Sequence, residues 1–104
     1  MGKNIVLAYT TCPSKKNAEE IAELLISKKL VACANMFRID SIYKWNGRVE
    51  RAREYALILK TRASNFNSVK REIEKVHPYD VPCILKMEAE ANKEYYRWLC
   101  SEIL

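Results

Sequence analysis

Apolar and polar positions alternate with two different periods along these 104 residues. The run "NIVLAYT" (Asn4 to Thr10) is β-branched and aliphatic, is bounded by Pro13, and predicts a buried strand. Ser14 then serves as a helix cap. Ala18, Ile21, Ala22 and Leu25 recur at i, i+3, i+4 and i+7, so the helix lays one apolar stripe on a core. It ends near Lys28 and Lys29, whose charges suit the negative end of the helix dipole. Two long extended runs come next, "VACANMFRIDSIYKW" and "RVERAREYALILKT", joined by Asn46-Gly47. Asn-Gly favours the two-residue type I′ hairpin turn, which needs positive φ at both central positions. In that register Asp40 faces Arg53, and Lys44 lies diagonal to Arg51.

Ser64 is expected to cap a second helix, in which Phe66, Val69, Ile73 and Val76 keep a helical period. Pro78 biases His77 away from helical geometry, and Pro82 does the same to Val81, so this helix stops near Val76 and a pre-shaped loop, "HPYDVP", follows. A fourth strand, "CILKMEA", leads to a last helix that Asn92 caps and that carries Tyr95, Tyr96, Trp98, Leu99 and Ile103. The order β-α-β-β-α-β plus a C-terminal helix predicts one α+β domain over residues 1–104, a ferredoxin-like sandwich with both central helices on one face of an antiparallel sheet. Each hairpin strand exceeds the usual five or six residues. A hairpin that overshoots its own sheet leaves long open edges, and open edges favour association.

That fold hosts many functions, so residues must choose among them. The net charge is +5, yet basic residues are interleaved with acids in "NGRVERARE" and "KREIEK", the pattern of a solvated face. The third strand lacks the glycine and stacking aromatics of an RNA-recognition sheet, so no nucleic-acid partner is expected. No apolar run approaches the ~20 residues that span a bilayer. No N-terminal stretch reads as a signal peptide, so a cytoplasmic protein without a membrane partner is expected. There is no Gly-x-Ser-x-Gly turn and no Gly-rich phosphate loop, and His77 is the sole imidazole, so an enzyme is not expected. Cys12, Cys33, Cys83 and Cys100 form no CxxC pair, which argues against a structural zinc. Cys33 reads as a small buried apolar residue.

Several stretches together resemble the CutA divalent-cation-tolerance proteins. They are "KKLVACANM", then "SIYKWNGRVE", which is similar to the family's Ser-x-Tyr-x-Trp-x-Gly hairpin, then Glu54, the "LKT" at Leu59 to Thr61, "HPYDVP" and the closing "YYRWL". These landmarks stand in the family's order over nearly the whole chain. The resemblance implies a ferredoxin-like subunit in a homotrimer whose long hairpins extend the sheets across subunits. It also implies a cytoplasmic protein tied to tolerance of copper and other divalent metals, without enzyme activity. Three positions depart from the pattern. Val76 stands where some relatives have a second histidine, Thr10 where some have a cysteine, and Cys83 where a glutamate is common. A soft sulfur at that last position favours Cu(I) or zinc.

Two readings of the site follow. His77 is either a helix-terminating imidazole bonded to backbone or a metal ligand, with Cys83 and Cys12 as its co-ligands for copper or another divalent ion; no cofactor is obligatory. The polar residues Glu54, Lys60, Tyr79, Tyr95 and Trp98 are either trimer contacts or the lining of a cleft between subunits. Glu54 and Lys60 share a strand face, but six residues is ~20 Å along a strand, so any contact between them must cross subunits. Trp45 is expected to anchor an interface. The chain is thus either a non-catalytic homotrimeric metal-binding protein or a trimeric signalling or adaptor module that takes a small metabolite or anion.

Overall fold

The computed structural model describes residues 3–104. Its elements are β1 (Lys3–Cys12), α1 (Lys15–Ser27), β2 (Cys33–Trp45), β3 (Arg48–Thr61), α2 (Phe66–Val76), β4 (Ile84–Ala91) and α3 (Lys93–Glu102), with a 3-10 turn at Ala63–Asn65. Among the described residues the four strands make one antiparallel sheet in the order β2-β3-β1-β4. Asn46 and Gly47 hold φ of 51° and 76°, the positive pair of the type I′ turn. Trp45 therefore pairs with Arg48, Asp40 with Arg53, and the ladder runs on to Cys33 opposite Lys60. The expected register is the observed one.

Side chains alternate across this sheet, and each face has its own cover. On one face Val6, Ala8 and Cys12 of β1 and Leu57 and Leu59 of β3 pack with Ala18, Ile21, Ala22 and Leu25 of α1 and Phe66, Val69 and Ile73 of α2. On the other, Leu99 and Ile103 pack on Ile5, joined by Leu7, Ala89 and Ala91, so α3 covers only the end of the face that those residues occupy. The rest is open. Phe37, Tyr43 and Trp45 of β2 and Leu85 and Met87 of β4 share that face by register and stay exposed.

Helix ends follow local chemistry. Ser14 caps α1, its Oγ accepting the Asn17 N–H at 3.2 Å. Lys29 ends it in the left-handed region at φ 58°, and Leu30 N–H returns to the Leu25 carbonyl at 3.0 Å. Ser64 does not cap α2. It lies inside the 3-10 turn, and the cap residue, Asn65, turns its side-chain amide to the Leu104 carbonyl oxygen at 3.0 Å. Asn92 is the cap of α3 by position, without a side-chain bond.

Leu57 is fully buried between β1 and the helices. Leu57→Ala is expected to cost about 2–5 kcal/mol, as for a cavity in a packed core. Lys70→Ala, at an exposed position of α2, should stay within about 0.5 kcal/mol. Denaturant unfolding of both variants at one protein concentration checks the contrast, which equal midpoints would contradict.

Candidate functional site

The loop after α2 is held by an imidazole. Pro78 drives His77 to extended geometry (ψ 134°), and its N–H makes the last bond of the helix, to the Ile73 carbonyl at 2.8 Å. The ring is buried at 9% exposure. Nε2–H donates to the Thr11 carbonyl at 2.8 Å, and the Tyr79 N–H donates to Nδ1 at 3.1 Å. Both ring nitrogens are thus engaged, one pinning the loop to the end of β1 and the other turning the loop on itself. This is the backbone-bonded reading of His77.

Tyr79 carries the chain of contacts across the sheet. Its hydroxyl donates to Glu54 Oε2 at 2.7 Å, and Glu54 is itself 8% exposed. Burial, then the bond to Glu54, pushes the Tyr79 phenol far above its ordinary range. The same carboxylate acts on both thiols. Cys12 is fully buried and its pKa is pushed up to about 11, chiefly by burial and then by Glu54. Cys83, half-buried, is raised for the same two reasons in the same order. A thiol binds metal as the thiolate, so at either cysteine a metal must displace a firmly held proton, and binding strengthens as pH rises.

The three residues expected as ligands do not form a set within one chain. Among the described residues, no three His, Cys, Asp or Glu side chains stand close enough together to hold a metal ion. His77 has no nitrogen free of a hydrogen bond. Cys12 lies in the core layer under the helices. A resident metal does not fit this single chain, and a complete donor set would need groups from a second copy.

The five cleft residues separate into two clusters. Glu54 and Tyr79 stand at one end of the open face. At the other end the Lys60 ammonium lies 5.4 Å from the Tyr95 ring centroid, and Tyr95 stacks tilted on Trp98 at 5.4 Å. Burial, then a hydrogen bond with Cys33, raises the Tyr95 phenol while Lys60 acts the other way.

Around the Glu54 end is a cavity of ≈ 660 Å³ between the β2–β3 hairpin and the 77–83 loop. Its walls include Tyr9, Tyr43, Trp45 and Tyr79, the carboxylates of Glu54 and Asp80, and the Cys83 thiol. Burial, then Cys83 and Glu54, raises the Tyr9 phenol. Tyr9, Tyr43 and Asp80 were not expected here from sequence. The signal was available for one of them: counting by twos along β2 from the hairpin register puts Tyr43 on the face of Glu54, whereas Tyr9 joins that face only through the pairing of β1 with β3.

A family model described as CutA1 divalent ion tolerance protein matches residues 6–102. The chain is 44% identical over 92 residues to the divalent-cation tolerance protein CutA of Archaeoglobus fulgidus, covering 88% of this chain and 90% of the relative. It is 36% identical over 99 residues to the protein of that name from Pyrococcus horikoshii, covering 94% and 97%. The crystal structure of CutA1 from Pyrococcus horikoshii superposes with a TM-score of 0.92 at 35% identity, covering 95% of this chain and 98% of the other. A structure described as the periplasmic divalent cation tolerance protein CutA of Archaeoglobus fulgidus gives 0.92 at 40% identity, covering 94% and 97%.

Cys12 sets an alkaline limit on stability. Below pH 9.0, its ordinary pKa, the thiol is protonated in folded and unfolded chains alike, and its contribution is fully present. Between 9.0 and about 11 the unfolded chain releases a proton that the fold retains, so stability falls as pH rises. Under reducing conditions the unfolding free energy should decline over that window, and less steeply in Cys12→Ala. Identical slopes would count against the buried-thiol cause.

Proposed function

The chain belongs to the CutA divalent-cation tolerance family, and from that premise we propose that it is a non-catalytic, homotrimeric metal-binding protein of divalent-cation homeostasis. The observation that carries the metal reading is the Cys83 thiol, half-buried in the wall of a cavity that also holds Glu54 and Asp80. A sulfur donor beside carboxylates favours copper or zinc over harder ions. Since one chain supplies no three-donor set, the remaining ligands come from a neighbouring copy. His77 holds the loop that carries Cys83, as a positioning residue. Its engaged nitrogens also leave the chain without an imidazole base free beside a nucleophile, which supports a non-catalytic role.

Association has its own support. Phe37 is 45% exposed, Leu85 50% and Met87 39%, all on the sheet face that α3 leaves open. Exposed apolar area of this kind marks an interaction surface. The number three is the one that the family resemblance implies. All four cysteines are free thiols, in keeping with a cytoplasmic, reducing setting.

Anaerobic titration with Cu(I) and Zn(II), together with light scattering, tests this reading. The expected results are a trimer mass at micromolar concentration, saturable metal binding that Cys83→Ser abolishes, and lower stability as well as lower affinity in His77→Ala. A monomer mass would refute the trimer. Binding indifferent to Cys83→Ser would refute the site.

A further inference from the structure

We propose that the cavity between the β2–β3 hairpin and the 77–83 loop binds a small organic cation, an alkylammonium group set against aromatic rings beside the Glu54 carboxylate. The inference goes beyond the metal reading and does not rest on it.

Glu54 poses the question. It is 8% exposed, accepts one hydrogen bond from Tyr79, and makes no ion pair among the described residues, where both salt bridges belong to Glu72. Glutamate is rarely buried without a cationic partner. The chain has eighteen Lys and Arg, yet not one of them lines this cavity. A second carboxylate, Asp80, stands at the exposed loop. The space therefore takes a positive charge from outside the subunit.

The walls say which kind. Tyr9, Tyr43, Trp45 and Tyr79 supply four aromatic rings, whose negative faces attract a soft, poorly hydrated cation. A bare metal ion needs donors from a neighbouring copy to complete its set, whereas an organic cation needs only the carboxylate and the rings that this chain supplies. A neutral molecule would leave Glu54 without a partner, and an anion would face two carboxylates. The volume of ≈ 660 Å³ falls within the roughly 300–1,000 Å³ of small-molecule pockets. The rival source of positive charge is Lys60 of a second copy, since within one chain Lys60 is the cation at the far end of the same open face.

Tetramethylammonium chloride is the probe, and neopentyl alcohol, a quaternary carbon with three methyls and one hydroxymethyl, is a water-soluble uncharged counterpart of similar size. Binding is read by calorimetry on the assembled protein, with its mass followed by light scattering. The expected result is saturable binding of tetramethylammonium and none of the alcohol. Glu54→Gln should weaken it about tenfold or more, the factor equivalent to ~1.4 kcal/mol. Trp45→Leu, at a half-exposed position clear of the core, should weaken it without loss of folding. Cys83→Ser should remove metal binding while weakening tetramethylammonium binding far less than Glu54→Gln does, since the thiol is one wall group and carries no charge for the cation, which separates this site's failure from that of the metal reading. The proposal is overturned if the alcohol binds as well as the cation, or if the unmodified protein binds neither. It is also overturned if tetramethylammonium binds only after Lys60→Met, because the charge would then come from a neighbouring copy.

Discussion

The two-residue turn at Asn46-Gly47 decides on which face of the sheet every side chain of β2 and β3 stands. With period-two strands, a slip of one residue exchanges the faces. Leu57 and Leu59 would then leave the helix layer for the open face, and Glu54 would enter the core beneath α1 and α2. Positive φ at two consecutive residues is costly for most side chains, but Asn46 tolerates it and Gly47 has no Cβ to clash. Local backbone chemistry and the apolar pattern of β3 thus select the same register, and that agreement makes the fold specific. The open face, the buried carboxylate and the cavity all follow from it.

The second constraint is the imidazole of His77. A loop with Pro78 and Pro82 has little freedom of its own, but stiffness alone does not aim it. The bond from Nε2–H to the Thr11 carbonyl ties the loop to β1, and the Tyr79 N–H closing on Nδ1 sets the direction in which the next side chain leaves. Tyr79 then reaches Glu54. One ring thereby links the end of α2, the end of β1 and the middle of β3. Using both nitrogens for position removes them from coordination. The same geometry that makes the loop a good wall makes its histidine a poor ligand.

The sequence patterns conveyed the element order, the hairpin register and the Ser14 cap, because each depends on neighbours within a few residues. Ser64 failed as a cap because the deciding contacts are remote. Asn65 and Arg62 both reach the Leu104 carbonyl oxygen, and the chain tightens into a 3-10 turn there. The site was legible in pieces. Glu54 and Tyr79 belong together and Lys60 belongs with Tyr95, but apportioning them needs the pairing of β1 with β3 and the placing of α3. Tyr9 was read only as part of a buried strand, since an isolated aromatic in an aliphatic run gives no sign of the face it takes. His77 stayed ambiguous because backbone bonding and metal ligation use the same two nitrogens, and the partners that reach them, the Thr11 carbonyl and the Tyr79 N–H, are brought there by the fold.

The net charge of +5 would suggest that anions are what this protein attracts, yet the cavity beside Glu54 is lined by two carboxylates and by no lysine or arginine. The contradiction disappears when distance is considered. Charges on solvated lysines and arginines are screened over about 8 Å at physiological salt, so their excess hardly reaches a recess walled by aromatic rings. Inside it, water is partly excluded and the effective dielectric falls, so the nearest charge dominates. The displaced neighbours agree: Tyr9, Cys12, Tyr79 and Cys83 are all pushed toward their neutral forms by burial and by the one carboxylate among them. A cation entering beside Glu54 would oppose that field at each of these groups. The sign of the ligand is therefore set by a single buried side chain and not by the composition of the chain that carries it.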